Sequence, residues 1–162
     1  MPGMNADAPD ELLHHPGQHS RGALHRFEGS CHCGAIGFRF HTSRPPELWQ
    51  IRACQCSFCR RHAARTTTDP EGYVSFEIRD ETALVRYRFG LRTADFLVCR
   101  NCGVYLAAVL DSPHGQFATL NINTLREPLE FASVRAVSYD DESAEDRRQR
   151  RELRWTPVVE SR

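Results

Sequence analysis

The sequence predicts a mainly β, single-domain protein that ends in a short helix. Three observations lead there. Apolar and polar residues alternate in short runs, turn-forming residues separate those runs, and one segment near the end carries helix-start chemistry. The chain has 162 residues, 40% of them apolar, a size and composition that suit one domain with a real core.

Residues 1–28 read as a polar arm containing Pro, Gly, His14, His15 and His19, and those histidines read as solvated. Residues 29–140 read as the folded domain. Within it Ile36, Phe38 and Phe40 alternate with Gly37 and Arg39, Val74, Phe76 and Ile78 with Ser75 and Glu77, and Val85, Tyr87 and Phe89 with Arg86 and Arg88. Each run predicts a half-buried strand. Leu48–Ala53, Ala94–Val98, Val104–Leu110, Gln116–Ile122 and Leu129–Val137 are further strand candidates, with turns expected at 44–46, 69–72, Gly90 and 112–115. Residues 141–162 read as a helix and tail: Ser143 with Asp146 makes a capping box, and five arginines follow between Arg147 and Arg154. That arginine run reads as a solvated helix face whose charge the acidic first turn offsets.

Composition excludes several functions. Lys plus Arg and Asp plus Glu both total 21, so no general attraction to nucleic acid or an anionic membrane is expected. All the basic residues are Arg, which excludes a Schiff-base lysine and the lysine of a phosphate-binding P-loop. No apolar run is long enough to span a bilayer, and the N-terminus lacks a basic start followed by an apolar stretch. A cytoplasmic protein is the expectation.

The seven cysteines fall into three clusters with none left over: Cys31-x-Cys33, Cys54-x-Cys56-x-x-Cys59 and Cys99-x-x-Cys102. Tight turns at such spacings aim two thiolates at one ion, and Gly34 and Gly103 follow two of the clusters directly. An odd number of thiols in a cytoplasmic chain argues against a disulfide framework. Thiolate ligation points to zinc or an iron–sulfur cluster, and zinc is preferred because two knuckles complete a tetrahedron. Spacing alone leaves the pairing open. The partition that keeps each cluster whole joins Cys31, Cys33, Cys99 and Cys102 in a closed site and leaves Cys54, Cys56 and Cys59 as an open one, two zinc ions in all. A zinc with three thiolates is a weak Lewis acid that readily takes a soft thiol as its fourth ligand. Arg52, Arg60 and Arg61 are candidates to attract an anionic thiol.

The stretches Gly29-Ser-Cys-His-Cys-Gly-Ala-Ile36, Cys54-Gln-Cys-Ser-Phe-Cys-Arg-Arg61 and Cys99-Arg-Asn-Cys-Gly103, with Tyr87-Arg-Phe-Gly90 before the last, resemble the glutathione-dependent formaldehyde-activating enzyme family, which includes centromere protein V. The resemblance implies a β-tent of antiparallel sheets around a structural zinc on Cys31, Cys33, Cys99 and Cys102. It implies a second, catalytic zinc on Cys54, Cys56 and Cys59, acting as ligands rather than nucleophiles. It also implies a carbon–sulfur lyase whose partners are a small thiol such as glutathione and an aldehyde such as formaldehyde. A non-catalytic zinc-binding or redox-sensing module is the alternative. His62 is a candidate general acid/base, Thr66, Thr67 and Thr68 are candidate hydrogen-bonding groups, and His32 is expected to point outward. The polar run from His62 to Pro70 departs from the apolar stretch frequent in the family and suggests a different ligand if it walls the pocket.

Overall fold

A computed structural model describes residues 23–131 and 133–160. Period-two alternation becomes eleven strands among them. In chain order the elements are β1 (His25–Ser30), β2 (Ile36–Thr42), β3 (Ile51–Cys54), α1 (Ser57–Arg61), β4 (Thr66–Thr67), β5 (Tyr73–Ile78), β6 (Leu84–Tyr87), β7 (Asp95–Cys99), β8 (Tyr105–Ser112), β9 (Gly115–Asn121), β10 (Val134–Val137), α2 (Ala144–Arg154) and β11 (Thr156–Pro157). His14, His15 and His19 lie outside the described residues, and β1 begins inside the segment read as the 1–28 arm.

Two sheets result. The smaller is antiparallel in the order β1-β2-β5. The larger runs β10-β3-β4-β9-β8-β7-β6, with β11 beside β9. Its pairs are antiparallel except β10 on β3, which is parallel. The expectation of a mainly β fold with antiparallel sheets and a short C-terminal helix is met.

The main core includes Ile36, Phe38, Phe40 and Val74 of the small sheet and Leu97, Leu106, Val109 and Leu120 of the large one. Burial of each such side chain contributes about 1.5–3 kcal/mol for the larger ones. Trp49 closes one end, edge-on to Phe27 at 4.7 Å and to Phe40 at 5.4 Å, with its Nε1–H donated to the Arg44 carbonyl at 2.9 Å. The second cluster contains Tyr105, Ala108 and Leu110 with Ala94, Cys59 and Trp155. β8 contributes to both clusters, so Tyr105–Leu110 is buried throughout and its sequence is nearly all apolar.

Some strand boundaries shift for local reasons. Pro46–Leu48 forms a 3-10 turn, so the strand expected from Leu48 starts at Ile51. Of Leu129–Val137 only Val134–Val137 is a strand, an exposed edge. The apolar side of β6 does not enter the main core: Tyr87 is 47% exposed and stacks on Phe58 at 5.7 Å.

The predicted cap of α2 forms, with Ser143 Oγ accepting from the Asp146 N–H at 3.1 Å and donating to its carboxylate at 2.7 Å. The solvated arginine face is corrected, because Arg151 is buried and Arg147 and Arg150 are half-buried. Trp155 and β11 then tie the end of the chain to the large sheet, where Thr156 Oγ1 accepts from the Asp69 N–H at 2.8 Å. No helix among the described residues is long and apolar enough to cross a membrane.

Candidate metal centres and the pocket beside them

The first cysteine cluster sits on two glycine-containing hairpin turns that differ by one residue in the cysteine spacing. Between β1 and β2, Cys31 N–H bonds the Ile36 carbonyl at 2.9 Å and Gly34 N–H bonds the Cys31 carbonyl at 3.0 Å. Between β7 and β8, Cys99 N–H bonds the Val104 carbonyl at 2.9 Å and Gly103 N–H bonds the Cys99 carbonyl at 2.8 Å. Gly34 and Gly103 have φ of 80° and 74°, the left-handed region that glycine enters without strain. Each turn thereby folds two sulfurs to one side. The four sulfurs of Cys31, Cys33, Cys99 and Cys102 lie within 4.8 Å of one another, with Cys33 3.6 Å from Cys31 and 3.5 Å from Cys99.

A tetrahedral zinc with Zn–S near 2.3 Å has sulfur–sulfur edges of about 3.8 Å, so this donor set fits a metal ion of that size. Burial pushes the Cys99 thiol up to about 12. Cys102 goes the other way, to about 6: burial opposes its ionisation, but the backbone N–H groups of Cys33 and Val104 outweigh it. A bound cation would compensate all four thiolates.

The second cluster is built differently. Cys54 ends β3, Cys56 caps the start of α1, and Cys59 follows three residues later on the same side of that helix. The Cys56 sulfur accepts from the Cys59 N–H at 3.4 Å. All three sulfurs lie within 4.8 Å of one another. Hydrogen bonds from the Cys54 and Cys59 thiols bring Cys56 down to about 2, the bond to Cys56 pushes Cys54 up, and bonds to Cys54 and then Cys56 push Cys59 up. One thiolate is therefore easy to form and three are not, unless a cation joins them. Three soft donors suit zinc with a fourth position left for a ligand.

The three cysteines line a cavity of about 100 Å3 whose walls also include Phe89, Phe96, Tyr105 and Trp155. Phe58 backs this aromatic wall, 4.8 Å from Phe96, 5.0 Å from Tyr105 and 5.3 Å from Phe89. Burial, and then the negative charge of the three cysteines, raise the Tyr105 phenol well above its usual range, so it stays protonated as a donor. Arg52, Arg147, Arg150 and Arg151 line the same cavity, with Asp140 at its edge. Arg52 bonds Thr68 Oγ1. Glu142 accepts from Arg150 Nε at 2.5 Å and Nη2 at 2.9 Å and lies 3.5 Å from Arg147 Nε.

The sequence reading is thus met in part. Both cysteine groups come together as partitioned, and Arg52 lies in the pocket. Arg60 and Arg61 are exposed and do not line it. His62 packs its ring on Phe58 at 4.4 Å, 5.7 Å from the Tyr105 ring, and is not among the residues that line the cavity. His32 is exposed, as expected. Thr66 lines the pocket, so the polar run does wall it, while Thr67 Oγ1 donates to the Gln50 carbonyl at 3.3 Å. Tyr105 and the α2 arginines were missed. Helical spacing held the clue, since Arg147, Arg151 and Trp155 recur every four residues on one face.

Comparison with known proteins agrees with this geometry. A crystal structure of a Rhodobacter sphaeroides protein is similar at 28% identity and a TM-score of 0.50, covering 68% of this chain and 99% of that one. The sequence profile described as glutathione-dependent formaldehyde-activating enzyme matches residues 26–141, a span holding all seven cysteines and the β3–α1 and β7–β8 motifs. The chain belongs to the glutathione-dependent formaldehyde-activating enzyme family.

Proposed function

We propose that the protein is a zinc-dependent carbon–sulfur lyase that makes and breaks the adduct of a small aldehyde with a low-molecular-weight thiol. Formaldehyde and glutathione, the family's pair, are its first test substrates. The observation that carries this reading is the open three-cysteine centre facing a pocket with a buried, protonated phenol. Cys54, Cys56 and Cys59 would hold one zinc there, and Cys31, Cys33, Cys99 and Cys102 would hold a structural one. When bound at the triad, zinc supplies a site that takes a thiol and favours its thiolate at neutral pH.

The chain's own residues do the rest. In the forward direction a sulfur–carbon bond forms, the carbonyl electron pair moves to oxygen, and the thiol's proton ends on that oxygen, with no oxidant or reductant needed. Tyr105 donates a hydrogen bond to the oxygen as its charge develops. Phe89, Phe96 and Trp155 exclude water that would compete for the aldehyde. Arg52 adds positive potential that offsets the surplus charge of three thiolates.

Exchange NMR of glutathione with formaldehyde, run with protein of checked zinc content, tests the reading. Acceleration over the spontaneous reaction, lost in Cys56→Ala and cut at least about tenfold in Tyr105→Phe, is the expected result. No acceleration of any thiol–aldehyde pair at full zinc loading overturns it in favour of a non-catalytic centre.

A further inference from the structure

We infer that α2 makes this pocket selective for a compact mercapto acid, with Arg151 binding the carboxylate while the sulfur occupies the triad. The inference rests on the proposed thiol site and names the ligand class that this site takes.

Arg151 is 8% exposed. Its contacts are with neutral groups: Nη1 donates to Thr93 Oγ1 at 2.7 Å, and the guanidinium lies 4.6 Å over the Trp155 ring. Nε is buried without a hydrogen-bond partner, Nη2 makes no hydrogen bond among the described residues, and no carboxylate there lies within ion-pair distance. Arg147 and Arg150 on the same helix differ, because Glu142 serves both. A guanidinium removed from water without an anion is costly to fold around. A guanidinium carries five N–H donors, and the one bond to Thr93 leaves others on a residue that lines the cavity, where a carboxylate can accept from them.

Position sets the class of anion. Arg151 and the three cysteines line one cavity of about 100 Å3, well below the roughly 300–1,000 Å3 typical of drug-sized ligands. A molecule that reaches both within so small a space is compact. The glycine carboxylate of glutathione stands roughly twice as many bonds from its sulfur as the carboxylate of a 3-mercapto acid, and the whole tripeptide is far bulkier. Arg151 lies beyond residue 141, where the match to the family profile ends.

Calorimetric titration of the zinc-loaded full-length protein with 3-mercaptopropionate, its methyl ester and glutathione tests the inference without any turnover. Wild type is expected to bind the acid at least tenfold tighter than the ester and tighter than glutathione. In Arg151→Gln, checked for cooperative melting, the preference should vanish while ester affinity stays within about twofold; Arg151→Lys, which keeps charge but loses the fork, should restore only part. Equal affinity for acid and ester in wild type overturns the inference whether or not the variant folds. So does a preference that survives in Arg151→Gln, or glutathione binding tighter than the acid. In each of those cases thiol binding at the triad still stands. Failure of all three thiols to bind overturns the thiol site as well.

Discussion

Cys31, Cys33, Cys99 and Cys102 occupy the tips of two hairpins that share the main core, whereas Cys54, Cys56 and Cys59 occupy the floor of a pocket roofed from the far end of the chain. The donor atoms are the same. What differs is how each set is held and what faces it. Two hairpin turns give the first set four donors, a full tetrahedral complement. The second set offers three and lines a cavity walled by a phenol, aromatic rings and guanidinium groups. Sulfur chemistry lets both hold a metal ion, and on the proposed function it is the surroundings that set the second apart as the place of reaction.

The strongest attempt to break this comparison is Cys99→Ala. Structural zinc contributes about 10–16 kcal/mol in zinc-finger peptides, more than the net stability of about 5–15 kcal/mol of an ordinary domain. The variant should therefore lose its cooperative thermal transition. A folded Cys99→Ala protein that keeps two zinc equivalents would refute the partition. Cys56→Ala should behave otherwise, melting cooperatively within a few degrees of wild type while its zinc content falls from two equivalents to one by elemental analysis. Loss of both equivalents would mean that the two sites are not independent. The smallest effect sharpens the contrast: Ser143→Ala removes the α2 cap at a cost of about 1 kcal/mol. Trp155 fluorescence should shift at lower denaturant, with zinc retention at the four-cysteine site unchanged.

Much of the closed site was legible because its signals are local. Each knuckle is a short cysteine motif followed by the glycine that the turn requires, and strands such as β2 and β5 announce themselves by period two. The pocket was less legible because its parts are distant. β10 lies parallel to β3 and bonds Gln55 N–H through the Val137 carbonyl at 2.9 Å, a pairing to which alternation gives no clue. At five residues α1 is too short to show helical period. Tyr105 sits in an apolar run whose two faces are both buried, so periodicity could not separate its side from that of Leu106. The arginines of α2 looked solvated because charge alone does not say which face turns inward.

The β8 strand that divides the two clusters also divides the chain in time. A ribosome delivers residues from the N-terminus, so all four thiols of the closed site have emerged once Cys102 is out. The cysteine triad has emerged by then too, but Tyr105 and β10, Arg151 and Trp155 have not. The donors of both sets therefore leave the ribosome ahead of the residues that wall the second one. The triad stays unwalled until α2 arrives to close the cavity over it.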